Sequence, residues 1–335
     1  MTKDVTIMEG VSPDSLFTGR PSGSAKLATG ARLEPDFSRM IRVPGGKVYV
    51  RVNGNLKGGK PPIVLIHGGP GSSHWYFLNA TALADERAVI LYDQLDSGLS
   101  DHPDNPSNWH INRFVEELED IASALDIDCW HVLGTSWGSV IALEYAVLSE
   151  RMASLILSSP AISTNIWLRD CDRLIELMPP SVREILRSDA TLTDPRTKAV
   201  AAAIDVYHWA HVQRLDAPEE VKQYQRRMPE TFNPSVYNFM WGPEEFVATG
   251  SLKDYDAMVM LEMIDGRRTL FLAGEHDEAR PSTVARLASM AGGSFREIKD
   301  AAHLLMNDNP DACLLVLRSW LAQMDEPGTR WGGNG

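Results

Sequence analysis

Gly134-Thr135-Ser136-Trp137-Gly138 lies between an apolar run, WHVLGTS (130–136), and a helix-forming stretch, GSVIALEYAVLSE (138–150). This is G-x-S-x-G at a strand-to-helix junction, where a sharp turn lifts the serine hydroxyl clear of the backbone as a nucleophile. Glycines on either side let strand and helix pack closely, and the positive end of the following helix favours negative charge developing at the site. The alternative is an ordinary βα turn with an incidental serine.

A hydroxyl is a poor nucleophile without a base, so further groups must exist. TLFLAGEHDEARP places Asp277 just past another apolar run, and SFREIKDAAHLLMNDNP places His303 in a loop after a further strand. The order Ser136, Asp277, His303 suits a general base, His303, oriented by a carboxylate, Asp277. Glu275 and Glu278 are substitutes for Asp277. His276 adjoins Asp277 too closely both to serve the serine and to be held by that aspartate. The remaining histidines read as core or surface residues, with His74 in a position to border a pocket. His67-Gly68-Gly69-Pro70-Gly71 follows the run PPIVLI. Its glycines let backbone approach a substrate carbonyl, and the N–H groups of Gly69 and Trp137 would form an oxyanion hole. Removing such a donor typically costs about 3–4 kcal/mol of transition-state stabilisation.

These residues need a frame that brings their loops to one edge. KVYVRVNG (47–54) alternates like an antiparallel strand, whereas PPIVLIHGG (61–69), AVILYDQ (88–94), WHVLGTS, SLILSSP (154–160) and TLFLAGE (269–275) are short apolar runs of the fully buried kind. NRFVEELEDIASAL (112–125), GSVIALEYAVLSE and PDACLLVLRSWLAQM (310–324) are helical between or after them. The alternation predicts an α/β fold with a mostly parallel sheet covered on both faces. Between Ile162 and Gly266 there is no strong buried strand, only helical pieces punctuated by prolines. The expected organisation is an N-terminal arm (1–38), a core in two parts (39–162 and 266–326), a helical cap (163–265) and a C-terminal tail (327–335).

The chain of 335 residues is 44% hydrophobic and 23% charged, enough to bury a sizeable core. Its net charge of −13 argues against nucleic-acid binding, which needs basic patches. Three widely spaced cysteines suggest reduced thiols. Without an apolar leader or a run of 18 apolar residues, the reading is a protein that is not in the membrane and is cytoplasmic. Nothing points to a metal or an organic cofactor.

HGGPG (67–71), YDQLDSGLS (92–100) and GTSWGS (134–139) together resemble the proline iminopeptidase family, whose relatives include L-amino-acid amide hydrolases. The similarity runs from about Val43 to Met324. It implies the α/β-hydrolase fold, with an eight-stranded type of sheet and an inserted cap. It also implies hydrolysis of the amide bond after an N-terminal, preferably prolyl, residue with a free amine, through an acyl-enzyme on Ser136. The partner would be a small peptide or amino-acid amide. Two positions depart from the family pattern: Asp96 and Ser139 stand where it has glycines, which puts loop shape and substrate choice in question. FMWGPEEF (239–246) is similar to the family segment whose glutamate binds the substrate amine, a role that falls by position to Glu245. Glu219 and Glu220 are weaker candidates for a second acid, and all three could be solvated helix charges. Gly68 would adjoin the substrate, and Trp75, Trp137, Trp209 and Trp241 are candidate walls for it. An esterase or lactonase using the same three catalytic groups without amine recognition is the competing enzyme class.

Overall fold

Apolar runs that contribute to two cores at once become the centre of a sheet. In β3 (Ile63–Ile66), Val64 and Ile66 enter one core while Ile63 and Leu65 enter the other. β4 (Val89–Tyr92) divides in the same way, with Ile90 and Tyr92 on one face and Val89 and Leu91 on the other. Strands buried on both faces lose the polar alternation of a half-exposed strand. The computed structural model describes residues 23–188, 197–326 and 331. Residues 1–22 of the expected arm, and all of the expected tail except Trp331, lie outside these.

One sheet of eight strands runs in the order β1-β2-β4-β3-β5-β6-β7-β8. It comprises β1 (Phe37–Val43), β2 (Gly46–Asn53), β3, β4, β5 (Trp130–Thr135), β6 (Met152–Ser158), β7 (Thr269–Gly274) and β8 (Ser294–Ile298). β2 pairs antiparallel with β1 and β4, and every later pairing is parallel. β1 starts at Phe37, inside the stretch read as arm; only Ile41 and Val43 of its seven residues are buried, so it lacks the apolar run of the central strands.

Helices α1 (Ile111–Ala124) and α2 (Trp137–Leu148) pack on one face of the sheet, through residues such as Phe114, Leu118, Val140 and Ile141. A 3-10 segment, His74–Asp85, and the last helix cover the other face through Phe77, Leu83, Leu317 and Leu321. Between β6 and β7 the described residues carry α3 (Thr164–Glu176), α4 (Pro180–Leu186), α5 (Lys198–His211), α6 (Glu219–Gln225) and α7 (Pro234–Met240). After β7 come α8 (Pro281–Met290), α9 (Leu305–Asp308) and α10 (Pro310–Met324). No helix among the described residues is long and apolar enough to cross a membrane.

The end of α5 is joined to the loops after β7 and β8. The His211 carbonyl accepts from the N–H groups of both Glu278 and His303, each at 3.2 Å, and the Val212 carbonyl accepts from the Leu304 N–H at 2.9 Å. Asp308 extends this contact by accepting from the N–H groups of Arg214, Leu215 and Ala302. The described part of the arm lies over the same insertion, with the Ala25 N–H donating to the Asp216 carbonyl at 2.8 Å. Beneath it, the fully buried Arg51 donates to the Leu33 carbonyl and to the Tyr224 hydroxyl.

Candidate active site

β5 ends at Thr135 and α2 starts at Trp137, so Ser136 must make the whole turn. It does so at φ 56° and ψ −123°, a left-handed conformation that costs a non-glycine residue energy and is kept where structure demands it. The flanking glycines are sterically required. A Cβ on Gly134 would lie 2.1 Å from the Gly138 carbonyl oxygen, and one on Gly138 would lie 2.2 Å from that of Ile66. Ser139 fills the position of a family glycine usefully, because its hydroxyl donates to the Ser136 carbonyl and accepts from the Ala161 N–H.

The loops after β7 and β8 bring Asp277 and His303 together. His303 Nδ1 lies 2.9 Å from Asp277 Oδ1. The aspartate is fixed in turn by the Ser159 hydroxyl at 2.6 Å and by the N–H groups of Gly274 and Ala279. Burial works against a charged His303 imidazole, but the charge and hydrogen bond of Asp277 outweigh it, with help from Glu245, and raise its pKa above 6.5. Glu275, one of the possible substitutes for Asp277, is exposed on the surface and near Lys299. His276 turns its carbonyl to His211 Nδ1 at 2.8 Å.

A cavity of about 350 Å³ lies over the serine, with Gly69, Ser136, Trp137, Trp167, Trp241 and Glu245 in its wall. Val140, Leu252 and Tyr255 add apolar surface. Trp167 links the cavity to His303: its ring meets that of His303 edge-on at 5.5 Å and that of Trp241 at 6.0 Å. Gly69 has φ 107°, a value suited to glycine. Trp137 opens α2, so its N–H is among those a helix start leaves without an intrahelical acceptor. The Gly68 N–H donates instead to the Tyr76 hydroxyl, and a Cβ on Gly68 would lie 2.9 Å from Ser136 Cβ.

Sequence reasoning missed two residues here. Trp167 was not among the candidate tryptophans, and of those four only Trp137 and Trp241 line the cavity. Glu278 had been considered only as a substitute for Asp277. It is fully buried, neither carboxylate oxygen has a hydrogen-bond partner, and Oε1 lies 3.8 Å from His303 Nδ1. Burial first, then the charge of Glu245, push its pKa well above the ordinary carboxylate range. Burial raises Glu245 as well, against the pull of His303 and of the Tyr237 hydroxyl. The neighbouring Glu244 is raised to about 7 by burial and by Glu245. Signals for Glu278 existed in the sequence, since it directly follows Asp277, but only the tertiary structure shows its burial.

Glu219 and Glu220 are not brought to the cavity. Both are exposed in the first turn of α6, and Glu219 pairs with Arg226. The buried side of that short helix is made by Val221 and Tyr224, which leaves the two acids facing solvent. His74 is buried away from the cavity wall, between Asp93 at 2.8 Å and the Tyr224 hydroxyl at 2.7 Å. Asp96, at φ 63°, occupies a turn that glycine would take easily. Its carboxylate accepts from the Trp109 indole at 2.7 Å and from the Asp104 N–H at 2.8 Å, which anchors the loop in glycine's place.

A hydroxyl on a strained turn, a held imidazole and two open N–H groups can together carry acyl transfer without a prosthetic group. Comparison with known proteins narrows the kinship. The α/β hydrolase fold family matches residues 61–310. A proline iminopeptidase of Heyndrickxia coagulans is 36% identical over 84% of this chain and 97% of its own length. Among solved structures, VinJ superimposes with a TM-score of 0.79 at 29% identity, covering 87% of this chain and 100% of that one. A proline iminopeptidase of Mycobacterium smegmatis gives a TM-score of 0.77 at 30% identity, covering 86% and 99%. The matches cover most of this chain and nearly all of each relative, so the chain belongs to the α/β-hydrolase family and, within it, to the proline iminopeptidases.

Proposed function

We propose that the protein is a serine aminopeptidase or amidase that releases an N-terminal residue, preferably proline, from a small peptide or amide. The single observation that carries this reading is the pair of carboxylates beside His303: half-buried Glu245 in the cavity wall, and fully buried Glu278 with Oε1 3.8 Å from His303 Nδ1. Two acids held in an apolar site call for a cation, and a substrate ammonium supplies one. An esterase or lactonase would have no use for them. The helices of residues 163–265 act as the cap that holds Glu245 and the Trp167–Trp241 wall over Ser136.

In this reading Ser136 attacks the carbonyl of the N-terminal residue while His303 Nε2 takes the hydroxyl proton. The N–H groups of Gly69 and Trp137 receive the developing oxyanion. His303 then protonates the leaving amine, and a water deprotonated by His303 releases the acid product from Ser136. Asp277 keeps the imidazole in the tautomer that makes Nε2 the acceptor.

The test is a matched pair of substrates, prolyl-arylamide and N-acetyl-prolyl-arylamide, with a short-chain aryl ester beside them. Cleavage confined to the free-amine compound is the expected result. Indifference to acetylation, or turnover of the ester alone, would move the protein to the esterase class.

The pH profile gives a second check. His303 must be neutral to accept a proton, and its pKa is raised. kcat/KM is therefore expected to fall as pH drops through a value above 6.5. An acid limb at or below 6.5 would contradict the assigned Asp277–His303 coupling.

A further inference from the structure

A cleft of about 510 Å³ lies between α3 and the start of α8, and its wall includes Arg169, Asp170, Arg173, Ser282, Thr283 and Arg286. So dense a positive patch is unexpected in a chain with a net charge of −13. The wall's one carboxylate, Asp170, is buried and already shared between Arg173 at 3.0 Å and Arg280 at 3.3 Å. Arg169 bonds the Asn165 carbonyl, and Arg286 makes no ion pair or hydrogen bond among the described residues. Arg173 and Arg280 pair with that carboxylate while Arg169 and Arg286 line the same cleft, an excess of positive charge that an anion would offset. The positive end of α8, a ten-residue helix, opens at the same place, with the hydroxyls of Ser282 and Thr283 on its first turn.

We propose that this cleft binds a phosphoryl group, either as the free ion or as a monoester on a small organic molecule. Guanidinium forks match phosphate oxygens two at a time, and a helix start adds to the attraction. A lone carboxylate would satisfy one fork and leave the others open, whereas a phosphoryl dianion has oxygens for several. The ligand would tie α3, which carries Trp167, to α8, which follows the Asp277 loop. The site is separate from the substrate cavity and does not rest on the peptidase reading.

The experiment measures thermal shift and titration calorimetry with inorganic phosphate, pyrophosphate and glycerol phosphate, against sodium chloride at matched ionic strength. Wild type and Ser136→Ala are expected to show the same saturable rise in Tm. Arg286→Gln should weaken binding at least tenfold, and Arg169→Gln/Arg286→Gln should abolish it. Tighter binding of glycerol phosphate than of inorganic phosphate identifies a carried phosphoryl group, and the reverse identifies the free ion; either supports the site. No response beyond chloride in wild type, or equal affinity in the arginine variants, overturns it. Should the double variant unfold, Arg286→Gln decides alone, because its side chain has no hydrogen bond or ion pair among the described residues to lose.

Discussion

Ser136→Ala is expected to lower kcat for prolyl-arylamide by about 10⁶-fold, the size of loss seen when a serine hydrolase loses its nucleophile. The reason lies in the local geometry. The hydroxyl sits on a turn whose backbone is fixed by close packing at Gly134 and Gly138, so the substitution removes the nucleophile without altering the turn. His303 would remain paired with Asp277, and the cavity would keep its shape, so KM for the free-amine substrate should change little. The residual rate should come from the oxyanion donors and substrate binding alone. A loss of less than 100-fold would show that another group attacks the carbonyl.

Glu278→Gln separates binding from stability in a way that few substitutions can. For the free-amine substrate, kcat/KM is expected to fall by roughly 100-fold or more, since removing one partner of a buried charge pair costs about 2–5 kcal/mol. Any slow turnover of the N-acetyl compound should be unaffected. The folded protein, meanwhile, should gain stability. Glu278 has a pKa raised well above that of the unfolded chain, so the native state holds a proton that the unfolded state releases. That mismatch erodes wild-type stability as pH rises above about 4.5, up to the folded pKa, and Gln does not share it. The variant's advantage in Tm should accordingly widen with pH from 4.5 upward. A variant as active as wild type on the free amine would remove Glu278 from the amine site. An advantage that shrank as pH rose would contradict its buried, proton-holding state. Such a trade of stability for function is common where a site keeps a buried acid without a partner for its ligand.

The positions of the proposed catalytic residues were readable because they are constrained locally. G-x-S-x-G needs a strand before it and a helix after it, and both are encoded in adjacent sequence. Asp277 and His303 followed from chain order, since both lie past the ends of strands. The central strands were readable because β3 to β7 are buried along their whole length. β1 was hidden because FSRMIRV exposes most of its residues at the sheet edge. The cavity walls were harder still. Trp167 looks like any aromatic residue on an amphipathic helix, and only the arrangement of α3 sets it against His303. Glu219 and Glu220 failed as candidates for the complementary reason. Their spacing was compatible with an inward or an outward face, and the packing of Val221 and Tyr224 chose outward. Asp96 and Ser139 were visible as departures from a pattern, but what they do depends on Trp109 and Ala161, remote partners that the motif does not mention.

The junction at the end of α5 limits how this molecule can breathe. One carbonyl, that of His211, holds both the Asp277 loop, through the Glu278 N–H, and the His303 loop, through the His303 N–H. Lifting the insertion along that edge would strip both N–H groups and loosen the Asp277–His303 pair with them. The insertion is therefore better regarded as a fixed jamb than as a swinging door. On this geometry, substrate traffic to Ser136 is expected along an edge of the insertion other than the one joined to the Asp277 and His303 loops.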